Sequence, residues 1–226
     1  MSLKYPYVPN YRNRGIYTKG HQYELNSPKI KNRSLHLFTK TEFQHYLLIE
    51  SDPEIEIFCE QPDLNIVSFI DNKRIEANFD MWIKWKNGRE EFRRIVNHQY
   101  KEVFENDPKK KPKLLALSNW SEKNEIDFEI YTDKMINARP ILLDNWSEIL
   151  PYFHDISWII ENGLHNAVLL FIQKHKNISI RNIIEEFIDI ETTELIRAIF
   201  WNLYIGKISA DLERVKLSQN LLLEAV

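Results

Sequence analysis

The sequence predicts a two-domain α/β protein, with a mixed sheet flanked by helices first and a helical domain closing on a short strand second. Three observations predict it. β-rich runs fill most of residues 55–97 and return at 126–131. Helical apolar stripes precede these runs and separate them, as an α/β layer requires. After Pro140 the apolar spacing becomes helical and stays so until Lys207. At 226 residues and 43% apolar content, the chain can fill two cores.

Residues 1–38 read as an extended arm rich in tyrosine, asparagine and basic side chains, with Pro6, Pro9 and Pro28 and no useful helical or strand period. Arg12, Arg14, Lys31 and Arg33, interleaved with Tyr11, Tyr17 and Tyr23, suit phosphates and sugar faces. The other reading is an arm laid over its own domain. From Thr39 the residues Phe43, Tyr46, Leu47 and Leu48 recur at helical spacing, and Thr39 or Thr41 is available as the cap. Ser51-Asp52-Pro53 stops that helix.

Strands follow at 55–59 and 64–70, separated by Gln61-Pro62-Asp63. Asp71-Asn72-Lys73 turns the chain into one long strand over 75–85, with Phe79, Met81, Ile83 and Trp85 on one face and Asp80, Trp82 and Lys84 on the other. Asn87-Gly88 is a hairpin signal, so 89–96 is expected to pair back antiparallel. Lys109, Lys110, Lys111 and Lys113 form a cationic loop before the stripe Leu114, Leu115, Leu117 and Trp120. Such a loop serves phosphates, or is a solvated turn. A buried strand over 126–131 ends the domain, which spans 39–137.

Linking helices are expected over 138–163, split by Pro151 and ended by Asn162-Gly163. Residues 164–226 then give helices at 164–174, at 179–187 from a Ser179 cap, and at 192–205 up to Gly206. A short strand at 207–212 has the place of the wing in a winged-helix, or helix-turn-helix, domain. The third helix carries only Arg197 among apolar residues, which suits protein docking better than major-groove reading.

A formal charge of −3 gives no global basic field, so any nucleic-acid surface must be local. The single cysteine, Cys59, excludes an intrachain disulfide and a thiolate metal cluster and fits a reducing cytoplasm. No apolar leader core and no run of roughly 20 apolar residues are present, so a soluble protein with no membrane partner is expected.

Four phrases carry a resemblance to a known family. They are Thr41-Glu42-Phe43 running through Asp52-Pro53 to Cys59-Glu60-Gln61-Pro62; Ala77-Asn78-Phe79-Asp80 before the Asn87-Gly88 hairpin; Lys113-Leu114 through Trp120 to Tyr131-Thr132-Asp133; and Gly206-Lys207-Ile208-Ser209-Ala210-Asp211-Leu212. In this order and spacing, over 39–212, the chain resembles the TnsA-type endonuclease subunit of heteromeric cut-and-paste transposases. The resemblance implies a restriction-endonuclease-like first domain and a winged-helix second. It implies magnesium, or manganese in its place, on Glu42 and Asp80, and cleavage of the non-transferred strand at transposon ends. Its implied partners are double-stranded DNA, an integrase-like transposase subunit and an ATPase regulator, in the bacterial cytosol or nucleoid.

The family's acid or amide, spacer and lysine fall on Ile95-Val96-Asn97. Isoleucine cannot ligate a metal, and asparagine supplies neither the positive charge nor a basic acceptor. A register one residue later makes the triplet Val96-Asn97-His98, with His98 near the lysine's place, and Lys84 and Lys101 are further cations in reach. Weakened or lost hydrolysis is therefore expected. The alternatives are a non-catalytic DNA- or protein-binding adaptor and a stand-alone restriction or defence nuclease.

Overall fold

The computed structural model describes residues 7–11, 23–96, 98, 111–154 and 160–226, with the backbone alone at 31 and 32. It is a mixed α/β structure in two compact units. The first comprises Met1–Leu25, Lys29–His45 and Ile55–Ala138; the second comprises Asn26–Pro28, Tyr46–Glu54 and Arg139–Val226. No described helix is long and apolar enough to cross a membrane.

Among the described residues the first regular element is a hairpin, β1 (Tyr23–Ser27) and β2 (Ile30–Leu37), turning at Pro28 and Lys29. This corrects the expectation of an arm without strands. The inward residues Ser27, Leu35 and Leu37 are buried but scattered among polar ones, so no apolar alternation marks them. Helix α1 (Lys40–Glu50) follows, and its residues up to His45 group with the first unit.

The sheet of the first unit has the order β3 (Ile55–Glu60), β6 (Met81–Trp85), β7 (Glu90–Val96), β8 (Asp127–Thr132). β3, β6 and β7 pair antiparallel, whereas β7 and β8 are parallel, from Glu91 opposite Asp127 to Val96 opposite Thr132. A parallel neighbour needs a crossover, and α2 (Lys111–Lys123) lies on it. β4 (Ile66–Ile70) and β5 (Lys73–Ala77) form a separate hairpin. Asp71 and Asn72 turn it, both with φ positive (48° and 59°), a conformation asparagine and aspartate tolerate best after glycine.

One long strand over 75–85 was expected. It is instead two strands in different sheets, because the chain leaves β5 at Ala77 and enters β6 only at Met81. Asn78, Phe79 and Asp80 make the step. Phe79 turns into the core, 4.3 Å from the stacked ring of Phe92, with Trp120 of α2 5.6 Å away. Around them Ile57, Cys59, Trp82, Ala116 and Leu117 complete one continuous apolar cluster, and Tyr7 closes it edge-on against Trp82. The opposite face of the sheet carries Phe58, Met81 and Ile83, all buried.

That second face also holds ionic groups. Arg93 pairs with Glu91, stacks over the Tyr131 ring at 4.2 Å, and lies 3.1 Å from His45 Nε2. Burial, then the Arg93 charge, hold the His45 imidazole well below its ordinary value, so the ring is kept neutral. Glu60 is also buried and receives Arg33 in a two-pronged pair at 2.6 and 2.7 Å together with the Tyr11 hydroxyl at 2.5 Å.

The second unit contains α4 (Pro140–Ile149), a 3-10 turn (Leu150–Phe153), α5 (Leu164–Gln173), β9 (Ile178–Ser179), α6 (Ile180–Glu186), α7 (Thr192–Tyr204), β10 (Ile208–Ser209) and β11 (Leu222–Ala225). A short helix α3 (Asp133–Ile136), capped by the Thr132 side chain, ends the first. Pro151 sits in the first turn of the 3-10 segment that follows α4, where a proline removes no needed donor, and residues 155–159 of the second expected linking helix lie outside the described residues. Ser179 caps α6 by accepting from Asn182 N–H at 3.2 Å. The three short strands form one antiparallel sheet, β10-β11-β9, of which only β10 was expected. Seven residues of α7 are buried, among them Leu195, Ile199 and Phe200, so this helix is the centre of its unit. The buried carboxylate of Glu50 is held there by the Ser27 hydroxyl and by Tyr204 at 2.6 Å.

Candidate functional site

Asp80 stands where the chain passes from the β4-β5 hairpin into the main sheet. Its N–H bonds the Arg93 carbonyl at 2.9 Å, although Met81 is the residue opposite Arg93. Two residues of one strand therefore face one of the other, the pattern of a β-bulge, which re-aims a side chain. The re-aimed carboxylate accepts from Arg94 Nη1 at 2.8 Å on one oxygen and from Ile95 N–H at 2.7 Å on the other. Arg94 Nη1 also reaches the Asn78 carbonyl at 3.2 Å. A cation and a backbone donor thus already stand where a divalent ion would be expected to bind.

Glu42 is placed by helix-start chemistry. Thr39 accepts from the Glu42 N–H at 3.1 Å, and the Glu42 carboxylate reaches back to the Phe38 N–H at 2.8 Å. This is a capping-box arrangement displaced by one residue, which serves donors that the first helical turn leaves open. The side chain is buried, and its acidic charge sits at the favourable end of the α1 dipole.

A cleft of about 600 Å³ opens over Asp80. Asn10, Gln61, Asn78, Arg94 and Lys113 line it with Asp80 and Asp63. Gln61 is fixed from both sides: its N–H bonds the Asp80 carbonyl at 2.7 Å, and its carbonyl accepts from Asn10 at 2.8 Å. Its φ of 42° is in the left-handed region. Its side-chain Nε2 is buried and has no partner among the described residues. Asp63 is held by the Asn10 amide at 2.6 Å.

The remaining sequence candidates are dispersed. His98 is exposed, and its N–H bonds the Asp133 carboxylate. Lys111 is an exposed first residue of α2. Arg33 is committed to Glu60. Asn97, Lys101, Arg12, Arg14, Lys109 and Lys110, and the side chain of Lys31, lie outside the described residues. Sequence reasoning missed Arg94 and Gln61. The pair Arg93-Arg94 did carry a signal: alternation puts one guanidinium in the buried network and the other beside Asp80. Gln61 was visible only as part of a phrase, because whether a buried amide finds an acceptor is decided by the fold and not by local sequence. Cys59 is excluded as a nucleophile, its thiol pushed up to about 12 by burial and then by Glu60.

No known family model matches this chain, and neither does any curated protein.

Proposed function

We propose that the chain is a TnsA-type subunit of a DNA transposition system, acting in the cytosol at transposon ends. In this reading hydrolysis of the non-transferred strand is reduced and the positioning of DNA is retained. The single observation that carries it is the bulge that presents Asp80 to an open cleft while the chain's own Arg94 and Ile95 occupy both carboxylate oxygens. The four ordered phrases supply the lineage. A mixed sheet crossed by a helix supports a restriction-endonuclease-like first unit. The order α5, β9, α6, α7, β10, β11 supports a winged-helix second unit.

The ion this lineage implies, magnesium or manganese on Glu42 and Asp80, fits the residues poorly. Asp80 is neutralised, Glu42 caps its helix, and Ile95 offers the carboxylate only a backbone N–H. No hydrolytic step is therefore derived through it. What remains at the site is a surface able to hold a duplex beside an integrase-like transposase and an ATPase regulator.

A second reading, an adaptor without any metal chemistry, is favoured by the burial of α7. A helix that fills its own core has little surface to lay in a groove, so that unit would dock protein rather than read bases. The test is strand-specific cleavage of a labelled transposon end, with magnesium and the partner transposase, comparing wild type with Asp80→Ala. Residual cutting that disappears in the variant supports reduced hydrolysis. Identical behaviour of the two excludes catalysis by this chain and leaves the adaptor. Asn97→Lys raises cutting if the lysine alone is missing.

A further inference from the structure

We propose that the outer edge of β4 is a self-pairing surface, on which two copies of this chain join β4 to β4 antiparallel and merge their two-stranded hairpins into one sheet of order β5-β4-β4-β5. The inference goes beyond the transposition reading, does not depend on it, and uses the first unit alone. Ile66-Val67-Ser68-Phe69-Ile70 carries no charge, proline or glycine, and among the described residues its only paired neighbour is β5. Ile66 and Ile70 belong, with Ile75 and Ala77 of β5, to the apolar cluster that α2 covers. The opposite face carries Val67 and Phe69, 47% and 74% exposed. An apolar edge strand of this kind is a template for another strand, so folded proteins either blunt such edges or pair them.

The two edges of the hairpin differ. Asp71 and Asn72, both with positive φ, form a two-residue turn that makes Ile70 and Lys73 the first hydrogen-bonded pair. Alternation along the antiparallel ladder then directs the N–H and C=O groups of Val67 and Phe69 outward on β4, and those of Arg74 and Glu76 outward on β5. Arg74 and Glu76 pair at 2.7 Å and stay exposed, so charge guards the β5 edge. Nothing comparable guards β4. A second copy suits it because the strand is self-complementary about Ser68. With Ser68 facing Ser68 of the other copy, Val67 meets Phe69 and Ile66 meets Ile70, and both Val67–Phe69 pairs are of the outward, hydrogen-bonding kind. This is the one in-phase antiparallel register that pairs the whole strand. Each valine then covers an aromatic ring, and no like charges face each other. The two-fold axis closes the pair and leaves only the charged β5 edges outside, so it does not propagate. One strand edge is a small contact, which makes the dimer reversible and concentration-dependent.

The experiment is analytical sedimentation of the full chain from micromolar to several hundred micromolar, for wild type, Phe69→Lys and Val67→Lys. The expected result is a wild-type mass that climbs from 27.2 kDa towards twice that value and levels there. Both variants self-associate about tenfold more weakly or worse, because each brings two ammoniums diagonally across the axis. Their melting temperatures stay close to wild type, since both positions are exposed. Disulfide trapping checks the register. Ser68→Cys sets two Cα atoms about 4.5 Å apart across the axis, within reach of a disulfide, whereas Glu76→Cys on the guarded edge gives no linked dimer. Cys59 is buried and does not compete. A wild type that stays monomeric throughout overturns the proposal and leaves the edge to a strand of another protein. A dimer that Phe69→Lys and Val67→Lys leave intact also overturns it, as does a mass that rises without levelling. Trapping through Glu76→Cys in place of Ser68→Cys overturns the use of β4.

Discussion

Arg94 Nη1 lies 2.8 Å from Asp80 Oδ1, and this one ion pair decides what the site can do. Removing the guanidinium leaves a largely buried carboxylate without its cation, although the Ile95 N–H still donates to it. Arg94→Ala is therefore expected to lower stability by about 1–3 kcal/mol in denaturant unfolding. The variant should also gain what the wild type lacks: millimolar magnesium or manganese should raise its melting temperature and leave the wild-type midpoint unmoved. Equal behaviour of the two would mean that Arg94 does not guard Asp80 from cations.

Glu42 gives a different prediction, because its observed partners are those of a helix start. Thr39→Ala should cost about 0.5–2 kcal/mol by removing the cap. Glu42→Gln keeps an acceptor for the Phe38 N–H and should cost much less than Glu42→Ala. Denaturation of the three variants checks the order, and a Glu42→Gln as damaging as Glu42→Ala would show that the charge itself is needed.

Glu60 is buried and depends on Arg33, whose own side chain is partly exposed. The carboxylate is 1% exposed and receives both prongs of the guanidinium. Arg33→Met strands that charge and should destabilise the chain by on the order of 3 kcal/mol, the range for breaking a buried pair. The double change Arg33→Met with Glu60→Gln should recover part of the loss, and a double-mutant cycle by urea unfolding measures the coupling.

Acid should weaken the first unit through His45. Its folded-state value is held below the ordinary 6.5, so the unfolded chain binds the extra proton first as pH falls. Stability is therefore full above about 6.5 and declines below it, with a slope up to about 1.4 kcal/mol per pH unit from this group. Glu129, raised above 4.5 by burial and then by Glu91, acts in the opposite sense at lower pH, because there the folded chain takes the proton first. Stability curves of wild type and His45→Gln between pH 7 and 5 should converge in the acid limb.

Gly206 should tolerate no side chain. Its φ is +73°, and an added Cβ would meet Pro53 Cβ at 2.9 Å. Gly206→Ala is expected to lose about 1–3 kcal/mol, more than left-handed strain alone, and Pro53→Ala should relieve part of that loss.

Elements with strong local grammar were legible from the residues. Thr39 at a helix start, Asn87-Gly88 between β6 and β7, Ser179 before α6 and Gly206 after α7 each gave a boundary within a few positions. Elements fixed by distant partners were not. β9 has two residues and β11 four, too few for a period, and each exists because its neighbour bonds it. The step at Asn78 and Phe79 was hidden because alternation continues across it while the sheet changes. At the site, Asp80 was legible as an acid, but it stands on the step between β5 and β6 rather than within one long strand. Its partner was not, because the bulge shifts which residues of β7 reach it, and the Arg94 side chain and the Ile95 N–H are what arrive.

The parallel pairing of β7 with β8 sets an order of assembly. Until residue 127 has been synthesised, β7 is an uncovered rim whose ladder donors and acceptors have no second neighbour. A translation arrest or truncation between residues 97 and 126 should therefore leave an adhesive fragment, whereas a chain that has made β8 buries that rim itself.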